Sequence, residues 1–553
     1  MRAVKNEETG TGRRRLILEA GLLAIVALIL RLLNLDHTSY VDELNHVMAA
    51  SSLLSQGAPL IDSAHEYTRA PLFTWMVAAS YLAFGESLVA ARIPAVVAGT
   101  LLVVITFLWV RTAAGRWEGW TAGLLLLLAP QAIYHSQLAR FYSVQALCVV
   151  GAAWCAYALV TGPARPWHRP RGWFLAGGAV VLGAAAMNVQ ISSLVGLSGI
   201  AAWLLILLGW QALGSGRPLR TYRVPVFVIA LAGLGALVWL QMSGTLRGAR
   251  DAFQHVDVWA EGQEANLRFY HYYLLSHFPL LWAPFPLVAV VALRRNARPV
   301  SLWLTIFVLV MGVHTLAPQN ATRYVFYALP FFFAITGVVV GPLLRRLLTE
   351  FQAFFQPWLQ ARAATLVGGV ALLFGVAFAA WGNPASSYTA RMVAGDDADW
   401  PFDIRYRGEA DWRGVSHDLG DRIEAVSVVL TSTELKAVYF LGRNDLIVSA
   451  NYLGRSQDGL PREAFSRNWK TDRPMVAHPS SIKLVVQCRP SGLILVEDNH
   501  WRRPWSVSPE SADVIESLTE AIVLDPGRRI HAFEWDHGDG FTPPVPECDD
   551  IPV

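Results

Sequence analysis

The chain has 553 residues, of which 54% are hydrophobic and 16% charged, against roughly a quarter charged in an ordinary soluble domain. A soluble globule of this size is excluded: up to Trp381 the apolar excess falls into about a dozen blocks of 14 to 20 residues, each ended by charge or proline, as bilayer-spanning helices are. The net charge of +3 divides into +12 for residues 1–382 and −9 for 383–553, and no basic cluster with interleaved aromatics points to nucleic acid.

At the N-terminus Arg13, Arg14 and Arg15 precede the apolar run Leu16 to Leu33, which carries no small-residue cleavage site. This reads as an uncleaved first helix with its N-terminus inside. Basic loops are retained in the cytoplasm, and here they are Arg111 with Arg116, Arg165 to Arg171, Arg217 to Arg223, Arg294 to Arg298, and Arg345 to Arg362. Spans at 16–33, 94–110, 119–134, 142–160, 173–187, 191–210, 224–241, 278–293, 300–316, 324–343 and 363–381 put all five inside. That predicts about eleven transmembrane helices, an inner or plasma membrane location and an extracytoplasmic tail. The block Pro71 to Phe84 has 14 residues, about 21 Å of helix at ~1.5 Å per residue, too short for the ~30 Å hydrocarbon core. It is assigned as an interfacial or re-entrant helix.

With this topology the first external loop, from Asn34 to Arg92, is long and holds Asp36, Asp42, Glu43, Asp62 and Glu66. The other long external loop, Met242 to His277, carries Trp259, Tyr270, Tyr272 and Tyr273, which suit either a lid over a sugar or an interfacial aromatic belt. Few ionisable residues fall in mid-span, which argues against an ion-coupled transporter.

The division is therefore a membrane domain over 1–382 and an extracytoplasmic α/β domain over 383–553. In the tail, Ala425 to Leu430, Leu446 to Ser449, Ile482 to Val486 and Leu493 to Val496 read as strands. Helices are predicted at Thr433 to Phe440 and at Pro509 to Ala521, the latter opened by Ser508. Cys148 and Cys155 read as packing residues, while Cys488 and Cys548 can pair if the tail lies in an oxidising compartment.

Chemistry concentrates in the first loop. In SYVDELNHVMAASSLL the pair Asp42-Glu43 opens a short helix after the first span. A carboxylate there suits a general base or a divalent cation ligand, and equally suits stabilising the helix N-terminus. Arg69, before Ala70-Pro71, suits either a phosphate ligand or a snorkelling interfacial arginine, and Arg92 has the same two readings with the structural one favoured.

The Asp-Glu pair, a [KR]-x-P-L block ending in Phe84-Gly85-Glu86-Ser87 and the following Ala91-Arg92-Ile93-Pro94-Ala95 together resemble the large polytopic GT-C glycosyltransferases that use polyprenyl-phosphate sugars. These include the protein O-mannosyltransferases and the aminoarabinose transferase that modifies lipid A. The likeness covers roughly residues 16–345. It implies a GT-C fold, a polyprenyl-phosphate sugar donor, and catalytic candidates Asp42, as acid/base, and Glu43, with Arg69 on the lipid phosphate. YHSQLARFYSVQAL and QNATRYVFYALPFF are similar to two further family segments, which adds Arg140, Tyr142, Arg323 and Tyr324 to the donor-phosphate site. The family's Lys-Pro-Pro is Arg69-Ala70-Pro71 here, and the first proline of its R-Y-x-x-P-x-x-P region is missing. By the same likeness a divalent metal would use Glu66 with a histidine, for which His255, His271 and His277 are candidates.

The expected reaction is attack of an acceptor hydroxyl, on a lipid, a glycan or a protein, at the anomeric carbon with inversion. The rival from another class is a flippase or transporter of lipid-linked sugars, which needs a central polar pathway rather than an outward carboxylate pair. A scaffold that only presents the tail is the third reading.

Overall fold

The computed structural model describes residues 10–161, 170–214, 267–381, 383–395, 409–450 and 465–544, with 453, 462, 548 and 551. The expected span 224–241, His255, Trp259 and most of the loop 242–277 lie outside these residues.

In chain order the helices begin with α1 (Gly10–Leu32), α2 (Val41–Gln56), α3 (Pro71–Phe84), α4 (Leu88–Ala113), α5 (Arg116–Leu127), α6 (Pro130–Gln137), α7 (Tyr142–Thr161), α8 (Pro170–Val189) and α9 (Ser193–Gly214). After the undescribed stretch come α10 (Phe269–His277), α11 (Pro279–Trp282), α12 (Phe285–Arg295), α13 (Ala297–Thr315), α14 (Thr322–Val325), α15 (Leu329–Phe355), α16 (Ala361–Trp381) and α17 (Pro384–Ala394). The tail continues with α18 (Trp412–Ala425), β1 (Val428–Thr431), α19 (Glu434–Leu441), β2 (Leu446–Val448), β3 (Ser466–Arg467), β4 (Pro474–Val476) and α20 (Pro479–Cys488). It closes with β5 (Ser491–Glu497), α21 (Pro509–Leu518), β6 (Glu520–Ile522) and β7 (Ile530–Asp536). The chain groups into two compact units, one of Met1–Leu35, Arg92–Val256 and Gln263–Arg405, the other containing Asp36–Ala91 and Tyr406–Val553.

In the first unit, five helices among the described residues are long and apolar enough to cross a membrane: Leu88–Ala113, Tyr142–Thr161, Pro170–Val189, Ala297–Thr315 and Thr322–Phe355. Two expected spans are interrupted. The stretch 119–134 is two helices, α5 and α6, parted at Ala129 with Pro130 opening the second, because proline lacks the N–H that a continuing helix needs. The stretch 278–293 is likewise split, with Pro284 standing before α12. The long helix α15 approaches α5 through Gly337 and Gly341, and a Cβ on Gly341 would sit 2.6 Å from the backbone nitrogen of Glu118. Small residues four apart are what let membrane helices come this close. At the start of α1, Glu19 accepts from Arg15 at 3.0 Å and Arg116 at 2.8 Å and is also paired with Arg111. Arg92 is fully buried and donates to the Leu35 carbonyl at 2.7 Å, a structural contact inside the protein rather than the snorkelling one expected for it.

The second unit is built on a seven-stranded sheet of order β3-β4-β2-β1-β5-β7-β6. The central strands β4, β2, β1 and β5 run parallel, and β3 and β7 join antiparallel at the two sides. Side chains alternate between faces along each strand. Leu430, Ile494 and Val496 therefore join one apolar cluster with Ile482, Val485 and Ile515, while Val429, Leu493 and Leu495 join another with Trp412, Val415 and Leu419. Helices cover both faces, the arrangement that parallel strands require.

Ile482 to Val486 is not a strand but part of α20. Its β-branched run is overridden by Pro479 at the first helical position and by the His478 ring, which accepts the Ser480 N–H at 3.2 Å. The helix over Pro509 stops at Leu518, and Glu520–Ile522 turns into the edge strand β6. Cys488 and Cys548 are disulfide-bonded, with Cα atoms 5.2 Å apart.

Where β1 and β5 end, the chain has gone from β1 to β2 on one side and returned from β4 to β5 on the other. This is the topological switch point at which open α/β sheets have their crevice. A buried ion cluster occupies it. Lys436, on α19, pairs with Glu409 and with Glu497 at 3.1 Å, and the Trp412 indole donates to Glu497 at 2.6 Å. Burial pushes the Glu409 carboxyl up to about 7 against the attraction of Lys436, whereas for Glu497 burial is opposed by Lys436, His500 and the Trp412 hydrogen bond, which together hold the carboxyl below its ordinary value.

A folded-state value above the ordinary 4.5 means that Glu409 binds its proton more tightly when folded. Its contribution to stability is complete below that ordinary value and is lost as pH rises through about 7. Glu409→Gln is therefore expected to raise the thermal midpoint relative to wild type at about pH 8 and to match it near pH 5, since glutamine mimics the protonated acid. A gap of the same size at both pH values contradicts this assignment.

Candidate active site

The sequence-derived site residues divide between the two units. Asp42, Glu43, Glu66 and Arg69 belong to the second, and Arg140, Tyr142, Arg323 and Tyr324 to the first.

In the second unit, Asp42 and Glu43 lie in the first turn of α2, which Gly57 closes in the left-handed conformation (φ 79°). Their environments differ. Glu43 is 0% exposed and its carboxylate accepts the Tyr40 N–H at 2.9 Å, so it caps its own helix. Asp42 is half-exposed at the same helix start. Of the pair, Asp42 is the carboxylate open to a substrate. One turn further on, His46 is fully buried, shares a hydrogen bond with Thr74 of α3 at 3.0 Å, and meets Tyr67 and Phe73 edge-on with ring centroids 5.1 and 5.0 Å away. That contact locks α2 to α3 and orients the turn bearing Asp42.

Arg69 is exposed and stands immediately before the N-terminus of α3. Ala70, between Arg69 and Pro71, adopts φ 51°. Proline cannot reach this region, because its ring holds φ near −65°.

Glu66 is exposed, and among the described residues no three His, Cys, Asp or Glu side chains gather as a metal would need. Of the candidate histidines, His271 accepts the Trp282 indole N–H at 3.0 Å, and His277 hydrogen-bonds the Tyr273 carbonyl at 2.9 Å through Nδ1. No step of the proposed reaction uses a metal.

In the first unit the link between α6 and α7 places Arg140, and the short helix α14 places Arg323. Arg140 is 1% exposed and lies over the Phe141 and Tyr142 rings at 5.0 and 5.6 Å, its guanidinium donating to the Tyr142 hydroxyl at 3.4 Å. Arg323 is 4% exposed and repeats the arrangement over Tyr324, at 4.9 Å to the ring and 3.4 Å to the hydroxyl. Rings close to each of them in sequence, Tyr142 beside Arg140 and Phe326 after Arg323, both pack on His135. The His135 ring lies 5.1 Å from that of Tyr142 and 4.7 Å from that of Phe326, and its buried Nδ1 has no hydrogen-bond partner among the described residues. Two buried cations with flanking hydroxyls and an imidazole make a concentrated anion receptor. Sequence reasoning passed over His135, although it stands in the same YHSQLARFYSVQAL segment.

Residues 68–239 match the sequence model of the family described as dolichyl-phosphate-mannose-protein mannosyltransferase. None of the curated protein sequences matches the chain. Among solved structures it is similar to ArnT from Cupriavidus metallidurans in the apo state, with a TM-score of 0.58 at 14% identity over 95% of this chain and 98% of that one. It is similar to the same protein bound to undecaprenyl phosphate, with a TM-score of 0.57 at 13% identity over 94% and 98%. A further similar structure is the archaeal oligosaccharyltransferase AglB from Archaeoglobus fulgidus in complex with an inhibitory peptide and a dolichol-phosphate, with a TM-score of 0.52 at 12% identity over 89% and 70%. The chain thus has the GT-C fold expected from its motifs, a helical membrane part with a C-terminal sheet domain.

Proposed function

We propose that this chain is a membrane glycosyltransferase that moves a hexosyl or pentosyl group from a polyprenyl phosphate to an acceptor hydroxyl on the extracytoplasmic side. The observation that carries the reading is the pair of buried arginines, Arg140 and Arg323, from distant parts of the chain, whose neighbours Tyr142 and Phe326 both pack on His135. A lipid monophosphate is an anion of the size and charge that such a receptor suits. The family match over 68–239 and the similar structures holding undecaprenyl phosphate and dolichol-phosphate support the same donor class.

In the proposed reaction the acceptor oxygen bonds to the anomeric carbon as the bond from that carbon to the phosphate oxygen breaks. The proton of the hydroxyl goes to Asp42, and the phosphate leaves on its polyprenyl chain as a monoester. Base catalysis by a positioned carboxylate contributes typically 10²–10⁴-fold. Fixed cations at the departing phosphate stabilise charge where it develops, in a site with little water to screen it. A single displacement inverts the anomeric centre. Glu43 keeps Asp42 in place by capping the helix, and Arg69, Tyr142 and Tyr324 complete the phosphate environment. The N-terminus is assigned to the cytoplasm and the sheet domain to the opposite side, in keeping with the basic loops.

The test is a purified preparation in lipid, offered labelled polyprenyl-phosphate sugars with membrane extract as acceptor. Label is expected in a new glycoside. Intact donor recovered across the vesicle membrane, with no glycoside formed from any sugar in the panel, would replace this reading with the flippase.

A further inference from the structure

The segment Asp36–Ala91 groups with the sheet domain, hundreds of residues later in the sequence, in one compact unit. Its attachments cluster at one end of the sheet. The Arg413 guanidinium grips the Asp36 carboxylate with two bonds of 3.0 and 3.1 Å, just ahead of α2. Ser63 donates its N–H to the Lys470 carbonyl at 2.9 Å and its hydroxyl to the Trp469 carbonyl at 2.7 Å. Lys470 in turn pairs with Glu434, the first residue of α19, at 2.9 Å. Helix α2 packs directly on α19, and the charge of Glu43 acts on Glu409.

The packing of α2 and the Lys470–Glu434 pair both involve α19, the helix that follows β1, beside the switch point where a doubly wound domain ordinarily receives a ligand. That crevice is filled by the Lys436 ion cluster, in which Lys436 and Glu497 are buried, Glu409 is half-buried, and both carboxylates pair with the lysine. Burying a lysine with two carboxylates is expensive, and removing the lysine would leave the two carboxylates together without their counter-charge. An apolar core would have held a mere cap in place more simply.

We propose that the C-terminal sheet domain is the holder of the first-loop carboxylate helix, its switch-point end receiving the segment Asp36–Ala91 as such a sheet would receive a ligand, with Lys436 as a positioning residue for Asp42. The inference rests on the reading of Asp42 as the base. Lys436 touches no substrate; it fixes α19, against which α2 sets its register.

The test combines hydrogen exchange with kinetics on the full chain in lipid. Lys436→Met is expected to speed amide exchange throughout α2 while β5 and β7 exchange as in wild type. It is also expected to lower kcat roughly 10- to 100-fold with a smaller change in KM for the donor, because the base is displaced while Arg140 and Arg323 keep their places and, of the proposed phosphate ligands, Arg69 alone shares the altered unit. Lys436→Arg should restore most of both. If Lys436→Met does not accumulate, Arg413→Asp sets two like charges against each other at Asp36, and Asp36→Arg in the same chain should rescue it. Wild-type exchange in α2, or faster exchange there with unchanged kcat, would overturn the proposal. The exchange measurement needs no turnover, so a chain without transferase activity defeats the functional reading and still tests whether this domain holds α2.

Discussion

Asp42→Asn is expected to lower kcat about 10³-fold, or about 4 kcal/mol of lost transition-state stabilisation at 1.36 kcal/mol per decade, with the thermal midpoint unchanged. The amide is isosteric, and Asp42 is half-buried at the helix start, so the change in packing is small. KM for the donor should stay within about twofold, since uniform binding is not removed. Glu43→Gln should behave differently. Its side chain is fully buried and accepts the Tyr40 N–H, which an amide oxygen still accepts more weakly, so the main effect falls on stability. A variant pair in which Glu43→Gln is dead and Asp42→Asn active would reverse the assignment of the base.

The second large effect is expected from the arginine pair. Arg140→Ala and Arg323→Ala should each lower kcat/KM about 10²-fold, in line with the loss of one preorganised donor to a developing charge. Each should also weaken binding of free polyprenyl phosphate, measured directly with no acceptor present. Lysine restores the charge but not the planar fork that stacks on Tyr142 or Tyr324, so Arg→Lys should recover only part of the loss. In the proposed site both groups serve one phosphate, so the two losses should not add. Unchanged binding of polyprenyl phosphate in both alanine variants would place the donor elsewhere.

How far these features were legible in the sequence depends on the range of the interactions that fix them. Helix α3 occupies Pro71–Phe84, the block read from the sequence, because Pro71 starts it and Gly85 ends it within the chain's own neighbourhood. The strands β1, β2 and β5 follow their β-branched runs closely. Ile482 to Val486 has the same composition and folds as helix, since its apolar residues also fall three and four apart on one helical face under a cap at His478. Hydrophobicity alone merged α5 with α6, although Pro130 in the middle of the stretch was the available signal.

The site divides along the same line. Arg140 and Arg323 were identified from short motifs, but a lone histidine has no local mark, and only the packing of α6 against the segments around Tyr142 and Phe326 brings His135 to both. The left-handed Ala70 and the tie between the first loop and Lys436 are likewise set by residues far away in sequence. The distinct duties of Asp42 and Glu43, adjacent and alike in charge, appear only once the capping bond of Glu43 is seen.

The most direct measurement is the product stoichiometry of a single turnover, with protein in excess over a donor labelled in both sugar and phosphate. One polyprenyl monophosphate released per glycoside formed, with the anomeric configuration inverted, is the expected result. Sugar leaving the donor without an equivalent of lipid monophosphate, or a glycoside of retained configuration, would contradict direct displacement assisted by Asp42.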